Sequence, residues 1–245
     1  MTGGMKGERR EKRPFRFKQF SCHHYCSAMR IGVDGVLTGA WCDVTGNRIL
    51  DVGTGCGLIA LMCAQRNPDA LVDAVEVDLD SVEEARGNFQ DSPWSDRLSV
   101  KLCSFTDYKP LCLYDLIVSN PPYFTSGVDA DESSRMRARH EGELSPVLIL
   151  RSGRDMLTPA GRIAMIVPYL RADEMIKTAS DVSLALKRRT DVKGNPTAPY
   201  KRTLLEFTNT EMAHEPICDE LILEESIGIP TTDHRVLCHD FYLKF

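Results

Sequence analysis

The sequence has neither a long hydrophobic run nor a paired cysteine pattern. Its apolar stretches are short and interrupted by charged residues, so none approaches the roughly 18 consecutive apolar residues of a membrane-spanning helix. Its nine cysteines are scattered, several of them inside apolar runs, which is typical of buried thiols in a reducing compartment. These absences predict a cytoplasmic protein with no membrane partner.

A metal site is also poorly supported. The segment Cys22-His-His-Tyr-Cys26 offers four potential ligands within five residues, which invites a zinc interpretation. Structural zinc sites usually draw their second pair of ligands from another defined cluster, and the sequence has no such Cys or His pair elsewhere. We therefore predict no metal. No arrangement of serine, histidine and acid indicates a hydrolase either.

What the sequence does have is the composition of an ordinary globular domain. Its 245 residues are 42% hydrophobic, with a formal net charge of -5. We predict a basic, disordered tail at 1–14 and a single domain at 15–245. The cations are concentrated in three clusters that stand out from the acidic average. They lie at residues 6–18, at Arg135, Arg137 and Arg139, and at residues 187–202.

From residue 48 onward, short apolar runs alternate with longer helical patterns. This alternation predicts an α/β fold in which a mostly parallel sheet carries helices on both faces. The expected strands are 48–52, 71–78, 98–105, 114–120 and 161–168, followed by an antiparallel-looking pair near 188–192 and 203–208. Helices are expected after Gly57, at Ser81 with Glu84 as a capping box, and at Ser145-Pro146.

The first functional signal is a glycine-rich turn directly after a strand. The run Arg48-Ile-Leu-Asp-Val-Gly-Thr-Gly-Cys-Gly57 passes from a strand into a Gly-x-Gly-x-Gly turn, where the backbone can approach a ligand closely. The next predicted strand carries Glu76, placed where a carboxylate can accept both hydroxyls of a ribose. Together they predict a nucleoside cofactor, without choosing between S-adenosylmethionine and a nicotinamide.

The second signal is an apolar strand that ends in Asn-Pro-Pro-Tyr, at residues 120–123. An exocyclic amine is a poor nucleophile because its lone pair is delocalised into the ring. The Asn120 amide oxygen and the Pro121 carbonyl can accept its hydrogens, and the two prolines fix the turn. Tyr123 offers a flat face on which a base can stack. The motif therefore favours methyl transfer from S-adenosylmethionine to an adenine amine.

These motifs resemble the class I amino-methyltransferases and, among them, bacterial enzymes that methylate N6 of a tRNA adenine beside the anticodon. The resemblance spans residues 15–209 and returns at 241–243. Its most specific parts lie outside the general methyltransferase motifs. They are Phe17-Lys-Gln-Phe20, Ala28-Met-Arg-Ile-Gly-Val-Asp-Gly-Val-Leu-Thr-Gly-Ala-Trp41, Ser92-Pro-Trp94 with Arg97, and Val118-Ser-Asn-Pro-Pro-Tyr-Phe-x-x-Gly-Val128. It implies a Rossmann-like, seven-stranded sheet whose last strand is antiparallel.

The resemblance also implies roles for individual residues. The catalytic set is Asn120, Pro121, Pro122 and Tyr123. The expected cofactor contacts are Asp51, Gly53, Gly55, Gly57, Glu76, Ser104, Phe105 and Asn120, and residues 30–37 would close over the methionyl end. Many relatives have an acid where this chain has Ser104, which leaves Asp107 as an alternative adenine contact. The expected tRNA contacts are Arg16, Lys18, Arg135, Arg137 and Arg139, with the anticodon loop as partner.

Other functions remain open at this stage. A glutamine amide presents the same planar NH2 group, so a protein glutamine methyltransferase is the nearest alternative, beside an enzyme acting on ribosomal RNA amines. A non-catalytic RNA-binding module could also retain a Rossmann-like shell. A nicotinamide oxidoreductase is disfavoured because its fingerprint would read Gly-x-Gly-x-x-Gly. The sequence does not indicate an oligomeric state.

Overall fold

The fold is organised by short, apolar strands that are buried on both faces. The computed structural model describes residues 13–27, 30–122, 144–212 and 214–245. The strands are β1 Phe15–Arg16, β2 Ser21–Cys22, β3 Arg48–Val52, β4 Leu71–Glu76, β5 Leu98–Leu102, β6 Tyr114–Ser119, β7 Leu157–Pro168, β8 Leu184–Lys193, β9 Tyr200–Asn209, β10 Ile217–Ile222, β11 Glu224–Ser226 and β12 Ile229–Pro230. The α-helices are α1 Val33–Trp41, α2 Leu58–Arg66, α3 Leu79–Gln90, α4 Pro146–Arg154, α5 Ala172–Asp181 and α6 Thr232–Cys238. None of the helices in these ranges combines the length and apolar character needed to cross a membrane.

Eight strands form the main sheet, in the order β10-β8-β9-β7-β6-β3-β4-β5. Strand β9 runs antiparallel to both of its neighbours, β7 and β8, and the other pairs in the sheet are parallel. The seven strands from β8 to β5 are the predicted ones, with β9 as the antiparallel member. The predicted count of seven is too low, because β10 adds an eighth strand parallel to β8.

Helices cover both faces of the sheet, because neighbouring residues of each strand point to opposite sides. On one face Ile49 and Leu116 pack in the core cluster that includes α1, α2 and α3. On the other face Leu50 and Ile117 pack with α4 and α5. Burial on both faces is typical of parallel sheets with crossover helices. It explains why the central strands read as nearly continuous apolar runs.

The β1–β2 hairpin and the last residues of the chain meet on the face that carries α1 and α2. The β1–β2 hairpin places Phe17 against Phe20, with ring centroids 4.5 Å apart, and against Tyr242 after α6. The backbone N–H of Lys18 donates to the Phe241 carbonyl at 2.9 Å. Phe241 itself is buried in the core. This contact accounts for a resemblance that returns at residues 241–243.

Two of the three predicted helix starts agree with the structure, and the third does not. Helix α2 begins after Gly57, and α4 begins with Pro146 behind the Ser145 cap, which accepts from Leu148 N–H at 3.2 Å. Helix α3 does not use the predicted capping box at Ser81 and Glu84. It begins at Leu79, because Asp78 is the N-cap and accepts from Ser81 N–H at 2.8 Å. The Glu84 carboxylate takes no part in capping this helix.

Candidate active site

A glycine turn leads from β3 into α2 at the carboxyl edge of the sheet. Gly53, Gly55 and Gly57 have φ values of +68°, +55° and +87°, in the left-handed region that favours glycine. Gly53 and Gly55 line the cleft that opens at this edge. Gly57 does not. A Cβ at Gly57 would lie 2.5 Å from Phe89 Cε1, so the absence of a side chain here permits close helix packing, and the predicted cofactor contact of Gly57 stays a prediction.

Asp51 lies beneath the turn and does not line the cleft. Its side chain accepts hydrogen bonds from Thr54 Oγ1 at 2.6 Å and from Ala60 N–H at 3.1 Å. Burial raises the pKa of Asp51 to about 7, with a further contribution from the nearby charge of Glu76. These two bonds use Asp51 Oδ2 and help to hold the turn in position, whereas Oδ1 is buried without a hydrogen-bond partner. The predicted contact between Asp51 and the methionine part of the cofactor stays a prediction.

The burial of Asp51 predicts a specific pH dependence of stability. Its pKa is about 7 in the folded state and near 3.8 in the unfolded chain, so between these values the unfolded state binds fewer protons. The Asp51 contribution to the free energy of unfolding should therefore fall as pH rises from about 4 to 7, by about 1.4 kcal/mol per pH unit. Asp51→Asn should lack this component. Denaturant unfolding of both proteins across this interval measures the difference, and parallel pH profiles would contradict the assignment.

Glu76 ends β4 beside the glycine turn and faces the cleft. Its carboxylate accepts from Gly55 N–H at 2.9 Å, from Val77 N–H at 2.8 Å and from Asp78 N–H at 3.1 Å. Three backbone donors fix its orientation, and a carboxylate has further acceptor capacity for a ligand hydroxyl. Glu76 thus occupies the place expected of a ribose-binding acid.

The cleft continues along the ends of β4 and β5. Beyond Glu76 it is lined by Asp78, Ser81, Cys103 and Phe105. The predicted residue Ser104 is not among the residues that line it, and its hydroxyl donates to Asp107 Oδ2 at 2.8 Å. Asp107 is engaged by the same bond and is not a lining residue either. Phe105 is where the sequence placed it, whereas Cys103 was missed because nothing in its local pattern distinguishes it from a core residue.

A second lobe of the cleft opens on the other side of the glycine turn. Its wall consists of residues 30–35 together with Gly53, Thr54, Gly55, Cys56, Leu58, Ile59 and Asn120. Residues 30–35, which are most of the segment that was expected to close over the methionyl end of the cofactor, therefore line this lobe. Leu37, at its far end, is buried in the core instead. The two lobes share Gly53, Gly55 and Asn120, so they form one continuous cleft.

Asn120 stands where the two lobes meet, directly after β6. The Ser119 hydroxyl donates to the Val52 carbonyl at 2.7 Å, which ties the end of β6 to the start of the glycine turn. Pro121 is buried and Pro122 lines the first lobe. A Cβ on Gly35 would come within 4.0 Å of Asn120 Nδ2, so glycine keeps α1 close to this amide. Tyr123, Arg135, Arg137 and Arg139 lie outside the described residues.

Glu84 on α3 holds the segment that leads into the second lobe. Its carboxylate accepts from three consecutive backbone amides, of Tyr25 at 2.6 Å, Cys26 at 3.0 Å and Ser27 at 2.9 Å. Burial by itself would raise the pKa of Glu84, but these donors hold that pKa below its usual value. The bond partners are 57 to 59 residues apart, so sequence pattern alone could not reveal them.

This clamp predicts that Glu84→Gln weakens cofactor binding more than catalysis. Glutamine keeps the length but removes the charge and turns an NH2 group toward backbone donors, and bonds to charged groups contribute about 1.5–3 kcal/mol. We expect KM for the cofactor to rise about tenfold with kcat nearly unchanged. Glu83→Gln, at the exposed neighbouring position, is the matched control. Equal KM values for the two variants would contradict a positioning role.

The two predicted tRNA contacts near the N-terminus have different surroundings. Arg16 is exposed on β1. The Lys18 ammonium instead donates to the carbonyls of His239 and Phe245, at the end of the chain. Lys18 therefore ties the hairpin to the C-terminal residues, and its predicted tRNA contact stays a prediction.

The cationic cluster at 187–202 is largely neutralised by acids that are distant in sequence. Glu206, only 1% exposed, lies within 4 Å of both Lys187 and Arg188. The other pairs are Lys187 with Asp43, Arg189 with Asp173 and Asp191, Lys193 with Glu220, and Arg202 with Asp34. The cluster is thus not the free basic surface that its sequence indicates.

The segment Cys22–Cys26 is folded into the protein by its own contacts. Cys22 is buried with its Sγ 3.7 Å from Cys56 Sγ, and Asn88 binds the backbone on both sides of His23. His24 Nδ1 accepts from Ile31 N–H at 3.3 Å. Across the described ranges, no group of three or more His, Cys, Asp or Glu side chains is arranged to hold a metal ion.

The strand order, the glycine turn and the acid at the end of β4 define a class I methyltransferase. The profile of the methyltransferase small domain family matches residues 36–169. Among solved structures, a predicted O-methyltransferase from Agrobacterium tumefaciens has the same fold, with a TM-score of 0.63 at 17% identity over 85% of this chain and 96% of the other. A ribosomal protein L11 methylase from Lactobacillus delbrueckii is similar at a TM-score of 0.50 and 14% identity, covering 71% and 76% of the two chains.

Curated relatives define the family more narrowly. A tRNA1(Val) (adenine(37)-N6)-methyltransferase of Parabacteroides distasonis is 41% identical over 94% of this chain and 98% of its own. The protein of the same name from Vibrio campbellii is 37% identical over 98% of this chain and 100% of its own. The chain belongs to this family of tRNA adenine-N6 methyltransferases.

The chain is therefore a methyltransferase whose methyl donor is S-adenosylmethionine, and its cleft fits that cofactor. A Cβ added at Gly55 would meet no protein atom within 4 Å, so the turn faces open space at the centre of the cleft. Glu76 presents an oriented carboxylate with acceptor capacity that would suit ribose hydroxyls, and Phe105 and Pro122 form apolar walls. The bound cofactor supplies an electrophilic methyl group on a sulfonium sulfur.

Proposed function

We propose that this chain methylates N6 of an adenine in the anticodon loop of a tRNA, at position 37 of tRNA1(Val). The observation that carries the proposal is the position of Asn120 at the junction of the two lobes of the cleft. There an amine held by Asn120 would face the methyl donor. The names of the relatives support the same substrate. Because that substrate is tRNA, we also propose a cytoplasmic location.

The chemistry proposed for this site depends on hydrogen-bond acceptors. The Asn120 Oδ1 atom and the Pro121 carbonyl accept the two amine hydrogens of the target base, which favours a tetrahedral nitrogen with an available lone pair. Proline has no backbone N–H, so neither Pro121 nor Pro122 places a competing donor at the amine. Tyr123 stacks on the ring of the base and keeps its amine directed toward Asn120.

An anticodon loop suits a cleft of this kind. The target base must leave its stack to reach Asn120, and unstacking costs least for a nucleotide that is already in a single-stranded loop. A base in a duplex stem would lose its pairing as well. This difference in free energy favours an adenine of the loop over one in a stem.

We propose that Arg16, Arg135, Arg137 and Arg139 contact the tRNA backbone. Replacing the three arginines of the 135–139 cluster by alanine should flatten the salt dependence of tRNA affinity, by about 0.7–0.9 in log-log slope for each lost phosphate contact. Cofactor affinity should stay constant. Affinities measured across a salt series check this, with Lys109→Ala as an exposed cation control. Slopes equal to the wild type would mean that these arginines are ordinary solvated surface.

The proposed function is tested by methyl transfer to total tRNA from a strain that lacks the modification. Digestion to nucleosides and mass spectrometry should show N6-methyladenosine, and sequencing of the labelled tRNA should place it at position 37 of tRNA1(Val). Label in another nucleoside, or in a glutamine of a protein, would contradict the proposal. Reconstitution with Asn120→Ala provides the inactive control.

A further inference from the structure

We propose that the exposed side chain of Leu170, supported by Tyr169 and Tyr200, is a second RNA-contacting element that packs against an unstacked base of the tRNA loop. This inference rests on the proposed function, because it adds a contact for the same substrate. It concerns a surface that is separate from the cofactor cleft and from the 135–139 arginines. Its partner is a single-stranded nucleotide next to the target adenine.

The fold brings this element to the edge of the sheet where the cleft opens. Strand β6 ends at Ser119, which pairs with Met165, whereas β7 continues to Pro168. Tyr169 and Leu170 follow in a short 3-10 turn. Because β9 is antiparallel to β7, its first residue, Tyr200, reaches the same edge. The carboxyl ends of β6 and β7 therefore place Asn120 and Leu170 on one side of the molecule.

An ion pair connects this edge directly with the second lobe of the cleft. Arg202 on β9 pairs with Pro168 on β7, and its Nε lies 2.7 Å from Asp34 Oδ2. Asp34 lines the same lobe as Asn120. The Asp34–Arg202 pair therefore joins the second lobe to the start of β9, where Tyr200 lies two residues before Arg202.

The element has the composition of a base-contacting surface. The rings of Tyr169 and Tyr200 are stacked with centroids 5.0 Å apart, and Leu170 beside them is 93% exposed. Single exposed apolar residues are common on protein surfaces and need no explanation. Leu170 differs because it follows the stacked tyrosine pair at the edge of the sheet where the cleft opens.

The charges around this surface favour contact with a base over contact with phosphate. Arg189, which lies over Tyr169, is paired with Asp173 and Asp191, and Lys193, which lies over Tyr200, is paired with Glu220. Lys201, next to Tyr200 in the chain, is exposed. The nearly balanced charge leaves apolar packing as the main contribution of this surface.

Extrusion of the target adenine creates the need for such a contact. When a base leaves its stack, its neighbours lose a stacking partner, and proteins that distort nucleic acids often insert leucine or similar apolar side chains at such positions. Packing between a side chain and a base is tolerant of sequence and sensitive to loss of the side chain. Leu170 can cover the face of a neighbouring base while Asn120 holds the target.

The test compares Leu170→Ser with Leu111→Ser. Leu111 is as exposed as Leu170 but precedes β6, at the opposite edge of the sheet, so it is a matched control. Affinity for unmodified tRNA1(Val) transcript and for its anticodon stem-loop is measured across a salt series. We expect Leu170→Ser to lose about tenfold in affinity at every salt concentration with an unchanged slope, because an apolar contact releases no counterions. Leu111→Ser should match the wild type, and Leu170→Phe should retain wild-type affinity.

The outcomes separate this inference from the proposed function. Equal affinities for Leu170→Ser, Leu111→Ser and the wild type would overturn the inference while leaving methylation intact. A loss for Leu170→Ser with a flatter salt slope would indicate a phosphate contact and would also overturn it. If the wild type binds the stem-loop but forms no N6-methyladenosine, the proposed function fails, whereas a selective Leu170→Ser defect would still identify the surface. A wild-type protein that does not bind the transcript would contradict both.

Discussion

Replacement of Asn120 by alanine is expected to lower kcat for tRNA methylation by about 10²-fold or more while changing tRNA affinity little. The expectation follows from where the charge develops. The attacking nitrogen becomes positive only as the methyl group is transferred, so an acceptor fixed beside it stabilises the transition state more than the bound substrate. Removing one preorganised hydrogen-bonding group from an active site commonly costs about 10²–10³-fold in kcat. Single-turnover rates at saturating tRNA and cofactor measure this effect.

Two comparisons make the Asn120 experiment informative. Asn120→Asp keeps an acceptor oxygen at the same position, so it should retain more activity than Asn120→Ala if acceptance of the amine hydrogens is the main role. Asn47 lies at the opposite edge, before β3, and is exposed; Asn47→Ala should leave kcat unchanged. A loss that appears entirely in the tRNA dissociation constant would contradict a transition-state role for Asn120.

Much of the fold could be predicted because the central strands carry strong local signals. Strands β3, β4 and β6 are apolar runs of five or six residues that end in a polar or glycine-rich turn. Strand β10 could not be predicted in the same way. It lies at the edge of the sheet and its first four residues are exposed, so it lacks the continuous apolar pattern of a buried strand. The number of strands was therefore underestimated by one.

The sequence predicts the parts of the site that the backbone forms better than the parts that side chains form. Gly53, Gly55 and Glu76 face the cleft as the motif indicated. Asp51 belongs to the same motif but is directed below the turn, toward Thr54. A glycine pattern shows that the backbone bends tightly, but it cannot tell which glycine faces a ligand and which, like Gly57, permits helix packing.

Charge patterns were the least reliable guide, because partners distant in sequence decide whether a cation is available. The cluster at 187–202 has Asp191 as its only acid in sequence, yet Asp34, Asp43, Asp173, Glu206 and Glu220 neutralise it in space. Glu84 illustrates the reverse case. Its spacing from Ser81 satisfies a capping-box pattern, but the tertiary structure uses its carboxylate to hold Tyr25, Cys26 and Ser27.

Glu76→Ala is expected to weaken binding of S-adenosylmethionine by at least about tenfold. A carboxylate that accepts two ribose hydroxyls makes two charge-assisted hydrogen bonds, each contributing about 1.5–3 kcal/mol, and each 1.4 kcal/mol corresponds to tenfold in affinity. Part of the effect will come through the turn, because Glu76 also accepts from Gly55 N–H. Both contributions act on the cofactor and neither requires tRNA. Calorimetric titration of the RNA-free protein with cofactor is therefore the direct measurement.

Stability controls distinguish loss of a ligand contact from loss of the fold. The amides that Glu76 now satisfies, at Gly55, Val77 and Asp78, belong to two half-exposed turns, after β3 and after β4, where water can replace the carboxylate. Thermal unfolding of Glu76→Ala without cofactor should therefore stay close to the wild type. Added cofactor should raise its Tm less, because stabilisation by a ligand follows its affinity. Glu83→Ala removes one negative charge from the exposed face of α3, outside the cleft, and should bind cofactor normally. If Glu76→Ala bound S-adenosylmethionine as tightly as Glu83→Ala, the carboxylate at the end of β4 would have no part in holding the ribose.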